Sequence, residues 1–137
     1  MASLGYSGTP LGKKLGIRSG AVIRLINQPE YYFSLFEDFP EDARISHDFK
    51  EKKNVIHYFT RDKDELALKL PDLRRELYPD GMIWVSWPKK SAGIPTDITE
   101  DVIRKIALEK GLVDIKVCAI DEVWSALKLV IPVKDRS

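Results

Sequence analysis

The sequence holds one cysteine, two histidines and no excess of charge of either sign. Each shortage removes a class of function. Cys118 alone allows no internal disulfide and no multi-cysteine metal site. Such usage fits a reducing compartment, so a cytoplasmic location is expected. Lys and Arg total 22 against 21 Asp and Glu. No bulk field therefore draws the chain to nucleic acid or to an anionic membrane. No run approaches the ~20 apolar residues of a membrane helix. Met1-Ala2-Ser3-Leu4-Gly5 lacks the basic segment and apolar core of a signal peptide. There is no internal repeat, no low-complexity segment and no Walker-type phosphate loop. The 137 residues suit one domain, large enough to bury roughly two thirds of its unfolded surface. The expected layout is a flexible tail over 1–8, a single domain over 9–133 and a short tail over 134–137.

What is present reads as strands alternating with helices. Thr9-Pro10-Leu11 predicts an N-cap, a proline at the first helical position and a short helix that Gly16 ends. Ala21–Asn27 is apolar on both faces except at Arg24, the pattern of a strand covered on both sides. Asn27-Gln28-Pro29-Glu30 then predicts a helix over Glu30–Glu37, whose Tyr31, Tyr32, Phe33, Leu35 and Phe36 pack a core or line a pocket. Ala43–Asp48 is a second strand, Phe49–Lys53 a charged connector and Val55–Phe59 a third strand. Asp62 or Asp64 caps a helix carrying Leu66, Leu70, Leu73 and Leu77, which Pro71 kinks or splits. Pro79-Asp80-Gly81 turns into a strand over Gly81–Trp87. After a loop, Asp97 or Thr99 caps a helix that Gly111 ends. Val113–Ile120 and Ser125–Val133 alternate at period two, and the short link Asp121–Trp124 joins them as an antiparallel hairpin. Alternating elements with right-handed crossovers dictate a doubly wound, mainly parallel sheet.

Gly81–Asp97 concentrates the most chemistry. It runs from a strand through a loop with Trp87, Lys89, Lys90, Ser91 and Thr96 to a helix start. In an open α/β sheet, ligands sit outside the carboxyl ends of the strands. Lys89 and Lys90 suit a phosphate or carboxylate; equally, they suit a solvated surface loop. If the first, third and fourth strands are neighbours and the hairpin packs beside the fourth, this loop meets Asn27, Gln28 and Glu30 and the Asp121–Ser125 turn with its Trp124 and Ser125. His57, inside a strand, reads as a core residue. His47 beside Asp48 is too small a cluster for a metal. No serine has a nucleophile-elbow context.

Two resemblances rest on particular residues. Leu77-Tyr78-Pro79-Asp80-Gly81-Met82-Ile83-Trp84-Val85 resembles the L-x-P-G-G turn and following strand of class I methyltransferases, whose last strand also enters antiparallel. Three phrases, Tyr6–Leu11 with Leu15-Gly16-Ile17, Ile83–Lys89, and Gly111-Leu112-Val113 through Trp124-Ser125, resemble a bacterial family known only as a domain of unknown function, number 3052. The resemblance implies a three-layer, Rossmann-like α/β domain with a mainly parallel sheet of about six strands, closed by a C-terminal antiparallel β-hairpin. It implies no activity. Methyltransferases of this fold hold S-adenosylmethionine over a glycine-rich turn after the first strand. Here that turn is Leu25–Tyr32, without a glycine and with Pro29. Asp48 stands about 20 residues on, where such enzymes carry an acid for the ribose hydroxyls.

The expected function is a non-catalytic binding or interaction module with no cofactor, S-adenosylmethionine being disfavoured. Its partner would be a small anionic ligand or a protein, with no metal, nucleic acid or membrane. The alternatives are a divergent transferase acting on a nucleotide-like anion through Asp48 and the lysine loop, and a subunit of a homo-oligomer.

Overall fold

A computed structural model describes residues 8–136. Residues 1–7 of the expected tail over 1–8, with Tyr6 and Ser7 of the family-like phrase, lie outside the described residues. Six strands form one sheet: β1 (Val22–Ile26), β2 (Arg44–Ile45), β3 (Lys53–Phe59), β4 (Leu77–Pro88), β5 (Val113–Ala119) and β6 (Trp124–Val130). Their spatial order is β2-β1-β3-β4-β6-β5. The first four strands run parallel, and β6 enters antiparallel between β4 and β5. Helices α2 (Lys63–Arg75) and α3 (Glu100–Glu109) cover one face over Ile56, Tyr58, Ile83, Val85 and Leu127. Helix α1 (Leu11–Leu15) and a 3₁₀ turn at Tyr32–Leu35 cover the other, over Ile23, Leu25, Phe59 and Trp84. This is the expected three-layer α/β domain closed by a hairpin.

Several boundaries differ from the sequence-based expectation. Pro10, in extended backbone, is the cap residue of α1, and Thr9 lies outside the helix. The carboxylate of Asp38 takes over the capping, accepting the Gly12 and Lys13 amides at 2.8 Å each. A Cβ on Gly12 would stand 2.7 Å from that carboxylate, so the approach needs glycine. Glu30–Glu37 is not a helix. Only Tyr32–Leu35 closes, through i→i+3 bonds such as Tyr32 N–H to the Pro29 carbonyl and Ser34 N–H to the Tyr31 carbonyl. Its aromatic side chains are middling helix formers, and they splay so that Tyr32 enters the core while Phe33 packs edge-on to Phe39.

β2 stops at Ile45, level with Ile23, and never reaches Asp48. The return to β3 over 46–52 therefore needs no helix. Lys53 belongs to β3, not to a charged connector. It is fully buried, because Glu76 accepts its ammonium at 2.7 Å and also pairs with Arg24. Asp62 caps α2, accepting the Asp64 and Glu65 amides, and the helix runs through Pro71 without splitting. β4 begins at Leu77. Tyr78–Gly81 bulges between two paired stretches, and a Cβ on Gly81 would stand 2.9 Å from the Lys53 carbonyl. Thr99, not Asp97, caps α3. In β5 a register shift between Asp114 and Lys116 breaks the alternation, leaving Ile115 and Val117 exposed.

Candidate functional site

In the sheet order, the chain moves one way after β1 and the other way after β3. The carboxyl ends of these two neighbours are the topological switch point, where open α/β sheets hold ligands. A cleft of about 630 Å³ opens there. It is lined by Asn27 at the end of β1, by Phe59 and the β3–α2 turn (Thr60, Arg61, Asp62), by Glu65 on α2, by Pro95 and Asp97, and by Trp124.

The lining is built from chain ends that hold one another. Asn27 has φ +58°, the left-handed region that asparagine tolerates better than most residues. Its amide nitrogen donates to the Phe59 carbonyl at 3.1 Å, tying the β1 exit to the end of β3. Glu65 accepts the Tyr58 hydroxyl at 2.6 Å, and burial with this partner pushes that phenol far up. Asp62 holds the start of α2. Asp97 accepts the Lys63 amide at 2.8 Å, while Thr96 donates its hydroxyl to the Arg61 carbonyl at 2.8 Å. Those two bonds fold the far end of the Trp87–Thr96 loop over the β3–α2 turn. Trp124 meets Phe59 edge-to-face at 5.0 Å and forms the aromatic wall. Tyr31 stands near Trp124, its phenol pushed up by burial and then by Asp121.

Beneath this wall lies a sealed polar pair. His57 is fully buried and stacks on Phe59 at 4.3 Å. Its Nδ1 meets the Tyr32 hydroxyl at 2.9 Å and its Nε2 the Ser86 hydroxyl at 2.8 Å. Burial drives its pKa down to about 3, so the ring is neutral at physiological pH. One ring nitrogen then donates and the other accepts. Ser86 beside a histidine has the chemistry of a nucleophile and base, but both side chains have no exposed surface. The pair is structural, as the position of His57 inside a strand suggested.

The sequence-derived candidates divide. Asn27 and Trp124 line the cleft, and the Trp87–Thr96 loop contributes Pro95. Gln28 and Glu30 are exposed beyond Asn27 and outside the lining. Asp48 is exposed in the short return after β2, where it accepts the Lys50 amide at 2.9 Å, away from the cleft. Trp87 packs in the core. Lys89 is half-buried and its amide bonds the Val123 carbonyl at 2.8 Å; Lys90 and Ser91 are exposed in a 3₁₀ turn. Ser125 is half-buried within β6. Among the described residues, no group of three His, Cys, Asp or Glu is placed to hold a metal, and no helix is long and apolar enough to cross a membrane.

The residues missed were Phe59, Thr60, Arg61, Asp62, Glu65 and Asp97. Asp62 and Asp97 were read only as caps. The signal that could have found them was the adjacency of the first and third strands, which makes the end of β3 half of any switch-point site.

Several solved structures share the fold. A SAM-dependent methyltransferase from Aquifex aeolicus superposes with a TM-score of 0.69 at 12% identity, over 88% of each chain. A ribosomal protein L11 methylase from Lactobacillus delbrueckii subsp. bulgaricus gives 0.58 at 12% identity, over 88% of this chain and 75% of that one. An O-methyltransferase of neocarzinostatin biosynthesis, solved with S-adenosylmethionine and a naphthoic acid, gives 0.61 at 11% identity, over 82% of this chain and 49% of that one. At such identity the likeness is one of fold alone. No functionally curated protein matches the chain in sequence. The family described as "Protein of unknown function (DUF3052)" matches residues 13–133, and the chain belongs to that family.

Proposed function

We propose that this chain is a binding module whose ligand occupies the cleft between the ends of β1 and β3, and that it carries out no S-adenosylmethionine-dependent methyl transfer. The β1 exit supports the second half. A glycine-rich turn lets the backbone approach a cofactor, and a helix start adds a favourable field. Here Asn27 spends its amide on the Phe59 carbonyl, Pro29 has no N–H to offer, and the chain continues into a four-residue 3₁₀ turn. Asp48, the residue expected to grip a ribose, lies outside the lining. The residues present do not fit the cofactor, and we assign no methyl-transfer step to them.

The lining supports the first half and narrows the ligand. A cleft of this size falls within the range of small-molecule sites, roughly 300–1,000 Å³. Asp62, Glu65 and Asp97 outnumber Arg61, so a neutral or cationic polar molecule stacking on Trp124 suits it better than an anion. An anion at Lys89 and Lys90 would sit outside this cleft. A thermal-shift panel of nucleosides, sugars, amines, nucleotides and S-adenosylmethionine tests the reading. The expected result is a higher midpoint with a neutral or cationic compound, lost in Trp124→Ala and Asp97→Asn. A shift with S-adenosylmethionine, or with nucleotides alone, would overturn it.

A further inference from the structure

Away from the cleft, the terminal hairpin brings two cations together with no acid opposite either. Lys116 on β5 and Lys128 on β6 are directly opposite partners in the antiparallel register. They share the sheet face of their neighbours Cys118 and Ala126 and of Trp84, the residue paired with Lys128 on β4. From the same side α1 sends Lys14, whose ammonium donates to the Ala119 carbonyl at 3.3 Å. The acid nearest in β5, Asp114, serves the other face, where it accepts Arg104 at 3.0 Å. Asp121, at the hairpin turn, accepts the Val123 and Trp124 amides on one carboxylate oxygen and faces the Tyr31 phenol. Among the described residues, neither Lys116 nor Lys128 has a carboxylate partner. Like charges directly opposite on one sheet face are destabilising. Burial and the neighbouring Lys116 both lower the pKa of Lys128.

We propose that Lys116 and Lys128, with Lys14 reaching in from α1, hold the phosphate group of a small molecule on the sheet face around Cys118. Lys116 and Lys128 are paired across adjacent strands on one face, so a compact oxyanion above the pair can meet both. A multiply charged phosphate gains more from this than a single carboxylate does. The site is independent of the cleft and of the ligand proposed there.

The test is the melting midpoint of the full chain with inorganic pyrophosphate, referred to sodium chloride at matched ionic strength. Pyrophosphate is expected to raise the midpoint saturably above the salt reference. Without it, Lys116→Gln and Lys128→Gln are each expected to raise the midpoint by about 1–4 °C, by relief of the repulsion. Each is expected to lose most of the pyrophosphate-dependent rise. Lys116 is exposed, so its variant leaves the packing intact. Equal responses to pyrophosphate and chloride, or a pyrophosphate response that survives both substitutions, would overturn the proposal. So would flotation with phosphatidylglycerol vesicles that depends on the two lysines and persists in saturating pyrophosphate, because the phosphate would then be a lipid headgroup.

Discussion

β1 and β3 run side by side and deliver the chain to the same cleft, but their exits are built differently. β3 leaves through a polar turn. Thr60 is buried there, Asp62 caps, and α2 continues to Arg75 with Leu66, Leu70 and Leu73 on the sheet. β1 leaves through a left-handed asparagine, a proline and one 3₁₀ turn anchored by a buried tyrosine. A helix-start field therefore exists only on the β3 side. There the Asp64 and Glu65 amides go to Asp62 and the Lys63 amide to Asp97. Carboxylates already occupy the place an anion would take. The same layered fold thus presents a cleft whose polar side comes from β3 and whose β1 side is fixed by aromatic packing.

If the β1 side rests on packing, removing its anchor has the largest effect. Tyr32→Ala is expected to lower stability by about 3–5 kcal/mol in urea unfolding, since it empties the core and strips His57 of a partner. A loss under ~1 kcal/mol would mean the 3₁₀ turn stands without it.

Acid should strike the same layer. His57 is held neutral, with a folded pKa of about 3 against an ordinary 6.5. The unfolded chain binds the proton first, so stability is full above about 6.5 and falls as pH drops towards 3. The slope from this residue is about 1.4 kcal/mol per pH unit at most. Unfolding free energies at pH 7, 5.5 and 4 would show it; a flat profile would show that the ring is not sealed.

The β3 exit should respond less. Asp62→Ala removes a cap and is expected to cost about 1 kcal/mol. Smallest of all, Asn27→Gly keeps the positive φ and is expected to change stability by under ~0.5 kcal/mol, whereas Asn27→Val should lose about 1–2 kcal/mol. Equal effects of the two substitutions would show that the Asn27 amide bond, not its backbone, holds the β1 exit.

The parts legible in the sequence are those decided by local pattern. The double-sided apolar run of β1 placed that strand within a residue at each end, while the alternation of β6 found its start and overran its end by three residues. The hairpin follows from the short link between two alternating runs, whereas the adjacency of β1, β3 and β4 is only a condition at the level of sequence and a finding of the structure. Glu30–Glu37 was misread because a proline near the start and an acid signal a helix, while the aromatic pull of Tyr32 into the core is a tertiary effect. Lys53 looked like a surface lysine because its partner, Glu76, is 23 residues away. The cleft was half-legible. Asn27 and Trp124 come from loops that the strand order predicts to meet, but an acid at a helix start is indistinguishable from a cap until β3 is known to lie beside β1.

The most direct test of the account is calorimetric titration of the full chain with S-adenosylmethionine at millimolar concentration. The β1 exit predicts no saturable heat, which places any dissociation constant above about 1 mM. Saturable binding that weakens in Asn27→Val would contradict the account, because the exit would then be holding the cofactor after all.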